Sequence, residues 1–258
     1  MPTLSSNDVQ LHYQTFGDHT KPALVFSNSL GTHLKMWQSQ IEFFQKHFYV
    51  ICYDTRGHGE SSTPRGPYSI DQLGLDVISL LDHLTISKAS FCGISMGGLT
   101  GQWLAIHHPE RFNHVIVCNT SAKIGTEQAW SDRANLVLEQ GLQPIAETAA
   151  SRWFTESFIQ SHTTIVESLS NDLAAGSAEG YAYCCMALAK ADLREDIRSI
   201  SIPVLVIAGA QDPVTTITDG QFMVDRIPES ELFEIEASHI SNIEQPTVFN
   251  EKVFSFIQ

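Results

Sequence analysis

Positive charge is scarce in this chain: 15 Lys and Arg stand against 29 Asp and Glu among 258 residues, a formal net charge of -14. The summed field repels phosphate backbones and anionic bilayers, so neither nucleic acid nor a membrane is an expected partner. Long apolar runs are lacking too, with no stretch near the roughly 18 residues a spanning helix needs. The opening "MPTLSSNDVQLHYQTFGD" has no basic segment followed by an apolar core. A soluble, cytoplasmic protein is expected. Cysteine is sparse and odd in number, and Cys52, Cys92 and Cys118 sit inside apolar runs where a thiol acts as a small hydrophobe. Cys184 and Cys185 are adjacent without CxxC spacing, which points to helix packing rather than a disulfide scaffold or redox pair. There is no HExxH or comparable cluster and no GxGxxG after the first strand, so neither a metal nor any other cofactor is expected. Repeats, low-complexity tracts and flexible linkers are absent from the sequence.

What remains is an ordinary globular composition, 43% hydrophobic and 17% charged, in a length that suits one domain with a well-buried core. "VQLHYQTFG", "PALVFSNSLG", "YVICYD", "ASFCGI", "HVIVCNT", "PVLVIAGAQD" and "ELFEIE" read as strands. Segments at helical spacing such as "YSIDQLGLDVISLLDHLTI" lie between several of them. Short apolar strands alternating with helices predict an α/β domain, a mostly parallel central sheet flanked by helices. The rhythm stops near Ser121 and resumes near Ile202, and the interval "DRANLVLEQGL", "IAETAASRWF", "YAYCCMALAKADL" is helix-forming. A single domain of residues 1–258 is expected, with its core in 1–121 and 199–258 and an inserted helical cap at 122–198.

One motif carries chemistry. "GISMG", residues 93–97, follows a buried-strand pattern and opens a helix, the setting in which GxSxG lifts a serine above a sheet on a sharp turn. Ser95 is the candidate nucleophile. The helix that starts behind it directs free amides and the positive end of its dipole at the reacting centre, which makes the Met96 N–H a candidate oxyanion donor. A serine hydroxyl needs an imidazole base and a carboxylate that fixes the base's tautomer. Asp212, in the loop after "VLVIAGAQD", and His239, beyond "FEIEAS", follow late strands in the required order. Of the 11 histidines, the others fit less well: His107 and His108 close a helix, His58 lies in a turn and His12 on an early strand.

The chain resembles the α/β-hydrolase superfamily over essentially its whole length. Within it, "SNSLGTHLKMW", "YDTRGHGESSTPRGPYSI", "GISMGGLTGQWLAIHHPERF", "VCNTSAKIGT", "SRWF" and "EGYAYCCMALAKADLRED" are similar to the 3-oxoadipate enol-lactonases of aromatic-compound breakdown. The resemblance implies a cofactor-free serine hydrolase, acting through an acyl-enzyme, that opens a small lactone carrying a carboxylate. Many members of the superfamily have His-Gly before the second oxyanion donor; Asn28 and Ser29 stand there in this chain, and the donor becomes the backbone N–H of Leu30. An anionic substrate in an acidic protein calls for local cations. Arg133 follows Trp130 by one helical turn and Arg152 adjoins Trp153, so either arginine could take the carboxylate, Arg133 being the first candidate, with Trp130 and Trp153 as pocket walls. Against this, most helix arginines are solvated and most tryptophans are core, the reading given to Trp37. Arg56, Gly57 and Gly59 of "RGHGES" read as loop architecture. The alternatives are a general carboxylesterase, a carbon-carbon bond hydrolase or a perhydrolase of the same scaffold, and, in another class, a hydrolase-fold ligand receptor. A homo-oligomer stays open.

Overall fold

Val, Ile, Leu and Phe dominate the short strands because those strands are covered on both faces, where burial rather than alternation sets the pattern. The computed structural model describes residues 2–6 and 8–258. Its strands are β1 (Thr3–Ser6), β2 (Val9–Phe16), β3 (Ala23–Ser27), β4 (Tyr49–Tyr53), β5 (Ala89–Ile94), β6 (Phe112–Cys118), β7 (Val204–Gly209) and β8 (Ser230–Ile235). They form one sheet in the order β1-β2-β4-β3-β5-β6-β7-β8. The pairs β1 with β2 and β2 with β4 are antiparallel, and the rest are parallel. β3, β5 and β7 are buried at every position. β1 is an addition to the strands expected from sequence: four residues at the sheet edge carry too short an alternation to announce themselves.

β3 pairs with β4 on one side and β5 on the other, so the strand order reverses there and a crevice opens beyond the carboxyl ends of these strands. Helices cover both faces. Ile70–His83 starts with a capping box, the Ser69 hydroxyl accepting from the Gln72 amide while the Gln72 side chain accepts from the Ser69 amide. Pro246 opens the last helix, Pro246–Ile257, at a position where no N–H is needed.

Between β6 and β7 the chain runs through the helices Glu127–Gln140, Gln143–Glu147, Ala149–Trp153, Glu156–Ser161, Thr163–Ala174 and Ala178–Lys190. The segment "IAETAASRWF" breaks at Thr148, whose hydroxyl donates back to the carbonyls of Pro144 and Ile145 and competes with helix continuation. Helix Glu127–Gln140 packs along Ala178–Lys190. Contacts between this layer and the rest of the domain include the Ile240 amide donating to the Trp153 carbonyl at 3.0 Å, His33 Nε2 lying 3.0 Å from Asp172 Oδ2, and the Thr155 hydroxyl donating to Glu244. Among the described residues no helix is long and apolar enough to cross a membrane.

Candidate active site

Ser95 sits between β5 and the helix Met96–His107 at φ 57° and ψ -113°, a conformation that costs a non-glycine residue about 1–3 kcal/mol. The surrounding backbone holds it there. The Ser95 amide donates to the Cys118 carbonyl at 2.9 Å, and its own carbonyl accepts from Thr120 Oγ1 at 2.8 Å and from the Leu99 amide at 2.9 Å. Strand and helix approach so closely that a Cβ on Gly93 would lie 2.3 Å from the Gly97 carbonyl, and one on Gly97 2.4 Å from the Ser27 carbonyl oxygen. Small residues flank the serine because nothing larger fits.

Asp212 follows β7 and His239 follows β8. His239 Nδ1 lies 2.8 Å from Asp212 Oδ2, with both residues buried. The same oxygen accepts from Thr215 Oγ1 at 2.9 Å, and Oδ1 accepts from the amides of Val214 and Thr215 at 2.8 and 3.1 Å. Burial pushes the Asp212 carboxyl up, but the His239 hydrogen bond and charge, with the two amides, outweigh it and hold the group below its ordinary value. An ionised carboxylate only accepts, so Nδ1 carries the proton and Nε2 is left as the basic nitrogen. Ser95 and His239 line one cavity of about 270 Å³, which they share with Leu30, Trp130, Arg133 and Trp153.

The loop after β3 is fixed from below. Asn28 donates to the Tyr53 carbonyl at 2.8 Å and accepts from the Trp37 indole at 2.9 Å, so the fully buried Trp37 is core and at the same time a support for this loop. The Asn28 carbonyl accepts from the Gly97 amide at 3.1 Å, joining the loop to the elbow. Gly31, next to Leu30, donates its amide to His58 Nε2 at 3.0 Å. Burial holds the His58 pKa below its ordinary value, against the raising pull of the Arg56 carbonyl and Asp54, so a neutral ring accepts that bond. The amides of Leu30 and Met96 have no acceptor among the described residues. Arg56 is buried and bidentate to Asp76, at 2.7 Å for each bond, which makes it part of the scaffold.

On the opposite wall the Arg133 guanidinium lies 5.0 Å from the Trp130 ring centroid, and the Trp130 indole donates to the Ile124 carbonyl. Arg152 lines the cavity as well and donates to Thr148 Oγ1 and the Ile145 carbonyl. Among the described residues the arginines in ion pairs are Arg56, Arg111, Arg194 and Arg198, and neither Arg133 nor Arg152 has a carboxylate partner. Burial and the neighbouring Arg133 cation both pull the Arg152 guanidinium down from its usual value. Tyr181 closes this side, its hydroxyl pushed up to about 12 by burial and therefore neutral.

Two polar residues at this site escape a reading of the sequence. Thr215 follows Asp212 by three positions, a spacing that suggests a turn and nothing more specific. Asn119 directly follows β6, and its side chain meets Asp212, Ser238 and Ser241, contacts that no local pattern announces. Among the described residues no group of three His, Cys, Asp or Glu side chains is placed to hold a metal ion.

The alpha/beta hydrolase fold family matches residues 22–246. The chain is 69% identical to 3-oxoadipate enol-lactonase 2 of Acinetobacter baylyi over 251 residues, 97% of this chain and 94% of that protein. It is 47% identical to 3-oxoadipate enol-lactonase 1 of the same organism, over 96% of this chain and 93% of that one. The crystal structure of the enol-lactonase from Burkholderia xenovorans LB400 superposes with a TM-score of 0.97 at 41% identity, covering 99% of each chain.

Proposed function

The chain belongs to the α/β-hydrolase family and, within it, to the 3-oxoadipate enol-lactonases, and from that premise we propose that Ser95, His239 and Asp212 hydrolyse 3-oxoadipate enol-lactone to 3-oxoadipate through an acyl-enzyme. The observation that carries the reading is a strained serine sharing one cavity with a carboxylate-aligned imidazole and two arginines that lack carboxylate partners.

In the first step Ser95 Oγ adds to the lactone carbonyl while His239 Nε2 takes its proton. The carbonyl oxygen becomes an oxyanion, for which the Leu30 and Met96 amides are the donors, each worth on the order of 10² to 10³ in rate. Collapse breaks the ring ester bond, expelling an enolate that is a better leaving group than an ordinary alkoxide. The enolate takes the proton from the imidazolium and tautomerises to the ketone, and the ring-opened chain stays on Ser95 as an ester. Water, deprotonated by His239, then adds to that ester and releases the diacid with the proton returned to Ser95.

The substrate carboxylate is assigned to Arg133, with Trp130 and Trp153 as apolar walls. Arg152 stands close enough to Arg133 for the two cations to repel, and an anion between them relieves that repulsion. Residues 122–198 act as the cap that keeps bulk water from this charge pair. All five cysteines are free and buried, which suits a reducing, cytoplasmic compartment.

The test is a substrate panel with purified protein. Loss of the conjugated lactone's ultraviolet absorbance is expected to be fast and hydrolysis of neutral aryl esters slow. Rapid aryl-ester turnover with an untouched lactone would end the assignment.

A further inference from the structure

The Ser95, His239 and Asp212 set leaves one buried polar side chain beside it without a role. Asn119 directly follows β6, is 1% exposed, and holds φ at 45°, a left-handed conformation that asparagine tolerates better than most residues. Both Nδ2 hydrogens and one lone pair of Oδ1 are used. One Nδ2 hydrogen goes to Asp212 Oδ2 at 3.1 Å, the oxygen that receives His239 Nδ1, and the other goes to the Ser238 carbonyl at 3.0 Å. Oδ1 accepts from Ser241 Oγ at 2.5 Å. The orientation of the amide is set by these neighbours, because the reversed amide would face its oxygen to a carboxylate and a carbonyl.

We propose that Asn119 is a positioning residue for the acid–base pair, tying the Asp212 carboxylate to the Ser238 carbonyl before His239 and to the Ser241 hydroxyl after it. The clamp holds what three loops must agree on. Ser238 precedes His239 and Ser241 follows it by two, so one amide fixes both ends of the histidine's own segment while it orients the carboxylate that the imidazole addresses. The scaffold is shaped to admit that amide: a Cβ on Gly209, at the end of β7, would lie 2.8 Å from Asn119 Nδ2 and 2.5 Å from the Ser238 carbonyl. The amide of Asn119 itself donates to the Ile207 carbonyl at 2.8 Å, which anchors the residue to the strand that leads to Asp212. Besides Asp212 and His239, the carboxylate facing this segment is Glu244, which accepts from the Ser238 amide at 2.9 Å.

The inference rests on reading Ser95, His239 and Asp212 as the catalytic set, and two variants test it. Asn119→Gly removes the amide while keeping a residue that accepts positive φ, so the backbone is not strained. The expected result is a kcat lowered by up to about 100-fold with KM within about threefold of the parent value. Asn119→Asp keeps the shape and the acceptor for Ser241 but sets a carboxylate against Asp212. The added negative charge stabilises the His239 imidazolium, so the acid limb of kcat/KM moves to higher pH. A third readout needs no turnover: the low-field proton resonance of the His239–Asp212 hydrogen bond is expected to shift or broaden in Asn119→Gly. Parent kcat in the glycine variant, an unmoved pH profile in the aspartate variant, or an unchanged low-field proton each overturns the proposal. If the parent protein itself fails to open the lactone, the functional reading falls, and the proton resonance still decides whether Asn119 holds the pair.

Discussion

Two arginines without a carboxylate partner line the cavity of an otherwise acidic molecule, and Arg133 is the one that also lies against Trp130. Charge-assisted hydrogen bonds of this kind contribute about 1.5–3 kcal/mol, so Arg133→Ala is expected to raise KM for the carboxylate-bearing lactone by about 10- to 100-fold. A neutral ester of similar size should change by less than about threefold in parallel steady-state assays. Equal losses on both substrates would reduce Arg133 to a support of the helix it sits on. His58 makes a different prediction. Its pKa is held below the ordinary 6.5, so the unfolded chain takes up the proton first, and stability present above about pH 6.5 is lost as pH falls toward the folded value. Urea unfolding at pH 7.5 and 5.5 should show a larger loss for the parent than for His58→Gln, whose amide oxygen can still accept from Gly31; equal losses would refute it. Motif, strand ends and chain order all bear on Ser95, Asp212 and His239, which is why the sequence singles them out as candidates. Asn119 is not singled out, since its partners lie 93 to 122 positions away and an asparagine at a strand end resembles any other turn residue.

The nucleophile turn is a joint between a strand and a helix whose spacing is set by glycine. A methyl group at Gly97 would press on the Ser27 carbonyl of the neighbouring strand, which is backbone and has nowhere to move. Gly97→Ala should therefore destabilise the protein by about 1–3 kcal/mol in urea unfolding and shift the serine enough to depress kcat. Unaltered stability together with unaltered rate would mean that the joint opens freely. The strands that build this joint could be read from their unbroken apolar runs, and the helices around them from spacing and caps. Elements decided by competition were harder to read. The break at Thr148 depends on a hydroxyl that can bond either to its own backbone or to water, and β1 depends on the edge it finds at β2.

Taken whole, the molecule works against its own substrate at a distance and for it at close range. A net charge of -14 repels an approaching anion over roughly a Debye length, about 10 Å at 0.1 M salt, whereas the partly buried arginines at the cavity wall are screened less. Raising ionic strength from about 10 to about 150 mM is expected to increase kcat/KM for the anionic lactone and to leave a neutral ester nearly unaffected. A fall for the lactone alone would place the dominant electrostatics at an exposed basic surface instead. The mostly parallel sheet and its flanking helices follow from the pattern of apolar runs along the chain, whereas the strand order does not, because it is fixed by pairings between distant strands. The charge pair inside the cavity does not, because Arg133 and Arg152 belong to separate helices that only the folded layer brings together.

The proposed acyl-enzyme route requires a serine oxygen that makes and breaks a bond to the lactone carbon. Hydrolysis of the enol-lactone by Ser95→Ala, followed beside the parent and with far-UV circular dichroism to verify the fold, tests this most directly. The expected result is a native spectrum with kcat down by at least about 10⁴-fold. A correctly folded Ser95→Ala protein that still opens the lactone at the parent rate would contradict it.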